Sequence, residues 1–380
     1  MEGFFKKLKA VLKVNKSLSS LFEKNVSTVH LRDKNCPECV LLHEPFPIHI
    51  DFSNYHISKT PYWQKFEGLK SASLFYCEFE KASIVSKGIV VSSEGNVLLE
   101  STIFQQEYLN ELHSNHLIVG RKWLPTKNVG KVLPLLNRLD NNYYHWTLES
   151  LTRALLVYEQ SFFKDYFVVL KKDGAAFMKE SLQFLFGISE DRIIEKNILS
   201  VLKPLKTLVV SFPHIRGEQT TMANVYYPEM IRKLNAQAHL KLKQMGNGEG
   251  AIQNILISRK NAISRRILNE DEVLRALQPL AFEAVCLEEL SYEAQVRLFA
   301  TAKRVLAIHG AGITNVIYGR KLSLVELYPE ERNARDPFYF AQITAALGFE
   351  HLLLEYSSDN ENEDVTVNKP IIDKIKKFLA

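Results

Sequence analysis

RVLAIHGAGITNVIYG, residues 304–319, runs from a short apolar stretch through His309-Gly310-Ala311-Gly312 into a segment that reads as the opening of a helix. Arg304–Ile308 has the length and apolar character of a buried strand. Open α/β sheets bind ligands beyond the carboxyl ends of their strands, which is where these four residues fall. Small residues let backbone N–H groups approach an anion, and a helix N-terminus adds a favourable dipole. Three readings fit the loop: a phosphate cradle, a catalytic elbow, or a tight turn. It lacks the Lys-Ser/Thr of a Walker loop, and Gly310-x-Gly312-x-x-Asn315 misses the third glycine of the dinucleotide fingerprint.

The same texture continues on both sides of the loop. NILIS (254–258), FEAVCL (282–287) and SLVELY (323–328) read as strands. NEDEVLRALQ (269–278), SYEAQVRLFATA (291–302, with Ser291 as cap) and DPFYFAQITAALG (336–348) read as helices. Alternation of this kind predicts a parallel sheet with covering helices. Upstream, residues 143–160 and 175–186 read as helices, and YFVVL (166–170) and TLVVS (207–211) as strands. From about 45 to 135 the pattern is short β-like runs with turn signals, Glu94-Gly95 marking a hairpin tip.

NAQAHLKLKQMGNGEGAI (235–252) ends in Gly-Asn-Gly-Glu-Gly and is the linker candidate. The expected organisation is a basic amphipathic helix over 1–24, an N-terminal domain over 25–235 and a linker over 236–252. A C-terminal domain over 253–350 and a tail over 351–380 with a terminal helix complete it. The acidic run SSDNENEDV (357–365) in that tail reads as a solvated stretch.

Composition bounds the partners. Forty-eight Lys plus Arg against 43 Asp plus Glu gives +5, a mild excess that does not call for nucleic acid and suits an anionic small molecule equally well. No stretch approaches the roughly 18 apolar residues of a membrane-spanning helix, and no signal core is visible, so the expected location is cytoplasmic. Residues 1–22, rich in lysine on one face, offer a peripheral contact with an anionic inner-membrane surface. Four cysteines in 380 residues make no disulfide framework and read as reduced thiols. CPEC (36–39) with His43 has metal-like spacing, but no second pair follows to complete a zinc site.

Two further constellations bear on chemistry. ISRKNAISRR (257–266) leaves the end of the first C-terminal strand with Arg259, Lys260, Arg265 and Arg266, which can converge on a diphosphate or be solvated surface. In LDNNYYHWTLESLTRALLVYE (139–159), Tyr144, Leu148, Leu151, Leu155 and Tyr158 form a buried helical stripe, with His145, Glu149, Thr152 and Arg153 on the other side. A histidine and a carboxylate one turn apart can form an oriented base. Asp140 and Asn142 stand beside them.

NNYYHWTLESLTRA (141–154), ISRKNAISRRILNEDEV (257–273), LEELSYEAQVRLFATAKRVLAIHGAGITNVIYG (287–319) and LVELYP (324–329) together resemble glycosyltransferase family 61. The ordered match spans about 141–329. Ile313, Ile317, Thr147 and Thr152 depart from the residues commoner there, and none of these changes removes a polar group assigned to chemistry. The resemblance implies a GT-B-like α/β fold, two Rossmann-like domains with parallel sheets facing a central cleft. It implies inverting transfer from a nucleotide-sugar donor to a glycan or lipid-linked glycan acceptor, as in bacterial capsule or surface polysaccharide synthesis.

On that expectation Arg259, Lys260 and Arg265 bind the diphosphate. The loop His309, Gly310, Ala311, Gly312, Thr314 and Asn315 supplies further donors, and Glu326 meets the ribose. His145 is the base and Glu149 its orienting partner, with Asp140 and Asn142 on the acceptor side. No metal cofactor is expected. The alternative is an inactive sugar-nucleotide or glycan-binding subunit of a membrane assembly.

Overall fold

The computed structural model describes residues 28–29, 39–49, 51, 53–56, 70–101, 117–118, 120–137, 139–216, 224–246, 252–332 and 339–380. The expected basic helix over 1–24 lies outside the described residues.

Strands β1 (Thr28–Val29), β2 (Cys39–His43), β3 (Tyr55–His56), β4 (Leu74–Glu80), β5 (Ser83–Val85), β6 (Ile89–Val91), β7 (Val97–Leu98) and β8 (Thr126–Pro134) open the chain. Helix α1 follows: it starts at Tyr143–His145, passes through a π-helical turn Trp146–Leu151 and ends as Thr152–Val157. Next come β9 (Phe167–Lys171), α2 (Ala176–Phe186), β10 (Ile193–Lys196), β11 (Val201–Val210), β12 (His214–Arg216), β13 (Asn224–Tyr226) and α3 (Pro228–Met245). The C-terminal half holds β14 (Asn254–Ile257), α4 (Glu270–Ala276), β15 (Phe282–Val285), α5 (Tyr292–Thr301) and β16 (Arg304–Ile308). It ends with β17 (Ser323–Pro329), α6 (Tyr339–Leu347), β18 (Glu350–Tyr356) and α7 (Lys369–Leu379).

The C-terminal sheet has the order β15-β14-β16-β17-β18-β3 and is parallel at every described pairing. Near-continuous apolar strands such as Val305–Ile308 demand this: buried on both faces, they need helices above and below. The Ser291 hydroxyl accepts from the Ala294 N–H and starts α5 as its sequence indicates. Strand β18 was not foreseen; it pairs with β17 along its whole length, so the sheet extends past the expected boundary at 350. The edge beyond it is closed by β3, which the chain supplies from far upstream.

The N-terminal sheet is mixed, which corrects the expectation of two parallel sheets. Among the described residues β11, β8, β9 and β10 run parallel to one another, as does β1 beside β7, and the other pairings are antiparallel. Strands β4 and β5 run in line along β11, both antiparallel to it, and the short links from β5 to β6 and from β6 to β7 join antiparallel neighbours. The turn between β5 and β6 needs Gly88: its φ is +98°, and a Cβ there would stand 2.7 Å from the Leu136 carbonyl oxygen. Glu94-Gly95 forms the expected hairpin tip between β6 and β7.

Residues 236–245, expected in a flexible linker, are the second half of α3. Leu234, Ala238 and Leu242 recur at helical spacing and are buried, so the segment is held by packing; 247–251 lie outside the described residues. One hydrophobic core contains Trp146, Leu151, Leu182 and Leu234 from the first half together with Val296, Val316, Ile317 and Phe340 from the second. The C-terminal helix packs Ile375 and Leu379 against Leu256, Val273 and Leu306, on the opposite face of the C-terminal sheet.

Two further expectations change. Cys39 and Cys77 face one another across β2 and β4 and are disulfide-bonded, contrary to the reading of reduced thiols. This also removes Cys39 as a thiolate for a CPEC metal site; Cys36 lies outside the described residues. Among the described residues no helix is long and apolar enough to cross a membrane.

Candidate active site

The π-helical turn of α1 carries the first element of the site. His145 donates from Nδ1 to the Glu149 carboxylate at 2.6 Å. Glu149 is fully buried, and the Tyr226 hydroxyl (2.7 Å) and the Asn137 amide (3.2 Å) also donate to it. A carboxylate held this way stays an acceptor, so it fixes the His145 tautomer with its proton on Nδ1 and leaves the Nε2 lone pair available. The His145 side chain is 15% exposed, enough for a substrate hydroxyl to reach it.

The helix face expected to be polar is itself interior: Thr152 and Arg153 are buried with Glu149. The Arg153 guanidinium lies over the Phe212 ring at 4.4 Å and donates from Nε to the Val210 carbonyl. Burial lowers its pKa to about 9, with the Glu149 charge opposing that fall.

Asn142 and Asp140 take supporting places. The Asn142 side chain caps α1 by accepting from the Tyr144 N–H at 3.0 Å. Asp140 is buried in the preceding turn; burial raises its pKa while Lys171, Lys87 and two backbone amides oppose the rise.

The second element is the loop after β16. His309 and Gly310 lead into a 3-10 helix, Ala311–Tyr318. Gly310 has extended φ, so its lack of a side chain serves space: a Cβ would come within 2.8 Å of the Arg259 guanidinium. At Gly312 a Cβ would stand 3.1 Å from the Leu287 side chain. Two loop residues differ from expectation. Asn315 accepts from the Tyr143 hydroxyl (2.7 Å) and donates to Gln295 (3.0 Å) and the Gly312 carbonyl, so it ties the loop to α1 and α5 and has no side-chain group left for a ligand. Thr314 is fully buried, with an unpartnered hydroxyl.

Glu326 does not reach for a ribose. One of its oxygens accepts from His309 Nδ1 and the other from His351 Nε2 at 3.1 Å. Burial raises the Glu326 pKa, but the hydrogen bonds and charges of the two histidines outweigh it and hold the carboxyl below its ordinary value. His309 thus has its own orienting carboxylate, backed by His351 and, through Nδ1 of that ring, by Thr344.

The third element is cationic. Arg259 spans the loop 257–266 by donating to the carbonyls of Ser264 and Arg265. Arg265 donates from Nη1 to the His309 carbonyl at 2.8 Å. Arg265 thus ties the basic loop to the glycine loop, and the Arg259 guanidinium lies beside Gly310. Lys260 is exposed and stands apart; Arg266 turns away to the buried Asp364 at 2.6 Å. The tail run 357–365 is solvated only in its first part: Ser357 and residues 359–362 are exposed, while Glu363 and Asp364 fold back onto arginines.

An aromatic layer joins the dyad to the loop. Tyr144, next to His145, packs 5.6 Å from Phe340, and Phe340 packs 5.2 Å from His309. The family model Glycosyltransferase 61 matches residues 143–325. Residues 143–325 form a glycosyltransferase 61 domain. No curated protein matches the chain.

The glycosyltransferase 61 domain begins at the first residue of α1 and ends one residue before Glu326. It contains His145, Glu149, Arg259, Arg265 and the whole loop, and the family implies a sugar donor and a glycan acceptor. Sequence reasoning missed Tyr226, Asn137 and His351, which stand outside the motifs it singled out.

Proposed function

We propose that this glycosyltransferase moves a sugar from a nucleoside-diphosphate donor to a hydroxyl of a glycan or lipid-linked glycan, with inversion at the anomeric carbon, in surface polysaccharide synthesis. We read its two sheets as the halves of a GT-B-like architecture, with the donor on the C-terminal sheet and the acceptor beside α1. The observation that carries the reading is the His145–Glu149 pair: a buried, multiply hydrogen-bonded carboxylate orienting a partly exposed imidazole.

In this scheme the acceptor hydroxyl gives its proton to His145 Nε2 as its oxygen attacks the anomeric carbon. The new C–O bond forms on the face opposite the diphosphate. The bond from that carbon to the diphosphate oxygen breaks, and its electron pair leaves with the nucleoside diphosphate. Glu149 stabilises the imidazolium that results. Arg259 and Arg265, with N–H groups at the start of the 3-10 helix, meet the charge that develops on the leaving group. His309, its Nδ1 held by Glu326, directs Nε2 to the same diphosphate. No divalent cation enters this scheme, because fixed arginines supply the positive charge.

The test is a panel of nucleotide sugars with product release measured in the presence and absence of EDTA, followed by NMR of the new glycosidic linkage. Turnover unaffected by EDTA with inverted anomeric configuration supports the scheme. Retention of configuration, or turnover abolished by EDTA and restored by a divalent cation, refutes it.

A further inference from the structure

Three guanidiniums come together from the two strands that flank the one leading into the glycine loop. Arg259 and Arg265 follow β14, and Arg332 ends a 3-10 turn, Glu330–Arg332, that follows β17. The loop itself follows β16, which lies between those two strands in the sheet. Burial and then mutual repulsion with Arg259 and Arg332 push the Arg265 pKa down. Among the described residues the Arg259 guanidinium bonds to backbone carbonyls alone. Among the described residues a single carboxylate is ion-paired within this group: Glu363 meets Arg332 Nε through both oxygens at 2.9 Å and Arg265 Nε at 3.5 Å.

We propose that Arg332 is a third arginine of the donor-diphosphate site and that Glu363 holds the place of the diphosphate until the donor displaces it. This rests on the donor-site reading above and extends it to two residues outside 143–325. A carboxylate bridging two guanidiniums uses the geometry that phosphate oxygens use, with one negative charge where a diphosphate brings at least two.

The surrounding turn is built to let the carboxylate leave. Glu363 sits at φ +59°, and the turn is held by bonds that do not involve its side chain. Tyr356 donates to the Glu363 carbonyl, the Arg265 N–H donates to Asn362, and the buried Asp364 is anchored on Arg266. Glu363 and Arg332 are 26% and 38% exposed, so an incoming anion reaches both.

The probe is inorganic pyrophosphate, the group common to nucleoside-diphosphate donors, titrated calorimetrically into the full chain at low ionic strength. Arg332→Gln is expected to weaken binding about tenfold, the worth of one charge-assisted contact. Glu363→Gln is expected to tighten it by about threefold to tenfold by removing the competing anion. Glu363→Asp keeps the charge on a stem too short to bridge both arginines and is also expected to bind more tightly than wild type. Unchanged binding by Arg332→Gln, or weaker or unchanged binding by either Glu363 variant, overturns the inference. Arg259→Gln separates the two layers. If it alone weakens binding, the donor site stands and the inference falls; if it too binds like wild type, the donor-site reading itself fails.

Discussion

Glu149→Gln is isosteric, yet no orientation of the new amide satisfies its surroundings. Oε1 of Glu149 accepts from both His145 Nδ1 (2.6 Å) and the Tyr226 hydroxyl (2.7 Å), and Oε2 accepts from Asn137 (3.2 Å). An amide NH2 turned toward Asn137 meets another donor and still leaves His145 without a negative partner. Loss of one charge-assisted bond of about 1.5–3 kcal/mol corresponds to roughly 10- to 150-fold in rate. An NH2 turned toward His145 is worse, because it forces the ring proton onto Nε2 and removes the base. The full contribution of general-base catalysis, about 10²- to 10⁴-fold, is then lost.

The expected result is therefore a kcat about 10²- to 10⁴-fold below wild type with the donor KM little changed. The assay is initial-rate release of nucleoside diphosphate at saturating acceptor, with circular dichroism to confirm the fold. A folded variant within about threefold of wild-type kcat refutes the orienting role, as does a loss confined to donor affinity.

Other consequences follow from individual contacts. Gly310→Ala places a methyl group 2.8 Å from the Arg259 guanidinium without straining an extended backbone. It should weaken nucleotide binding about tenfold in calorimetry while costing less than about 1 kcal/mol in denaturant unfolding. The Asp364 carboxyl is held at about 2, below its ordinary 3.8, chiefly by the Arg266 hydrogen bond. A depressed folded-state pKa adds stability above the unfolded value and loses it as pH falls toward the folded one. Asp364→Asn should therefore be about 2 kcal/mol less stable than wild type at pH 7, and the gap should close between about pH 4 and pH 2. Thiol titration of denatured protein purified without reductant should find two of the four cysteines free, given the Cys39–Cys77 bond; four free thiols would return the chain to a reducing compartment.

The C-terminal half was legible because its signals are local. Apolar runs as short as RVLAI and NILIS suit buried strands by their length and branched residues, and their alternation with helices points to a parallel sheet. Strand β3 escaped because two residues carry no periodicity and their partner β18 lies some three hundred positions away. The linker reading failed where Gly-Asn-Gly-Glu-Gly drew attention past the helical spacing of Leu234, Ala238 and Leu242.

The site divides along the same line. His145 and Glu149 share one helix face, so their spacing predicts their contact. Glu326 stood at the right strand, but its partner His351 lies on the next one, and only the register of β17 with β18 brings the two together. Glu363 belonged to a run whose charge reads as solvation, and nothing in its neighbours announces Arg265 or Arg332.

Sugar transfer through His145 is decided by pairing wild type with His145→Ala under the same donor and acceptor, and measuring both turnover and nucleotide affinity. A loss of transfer by at least about 10²-fold, with calorimetric nucleotide affinity within about twofold of wild type, is the predicted result. Full transfer by the His145→Ala variant would contradict it.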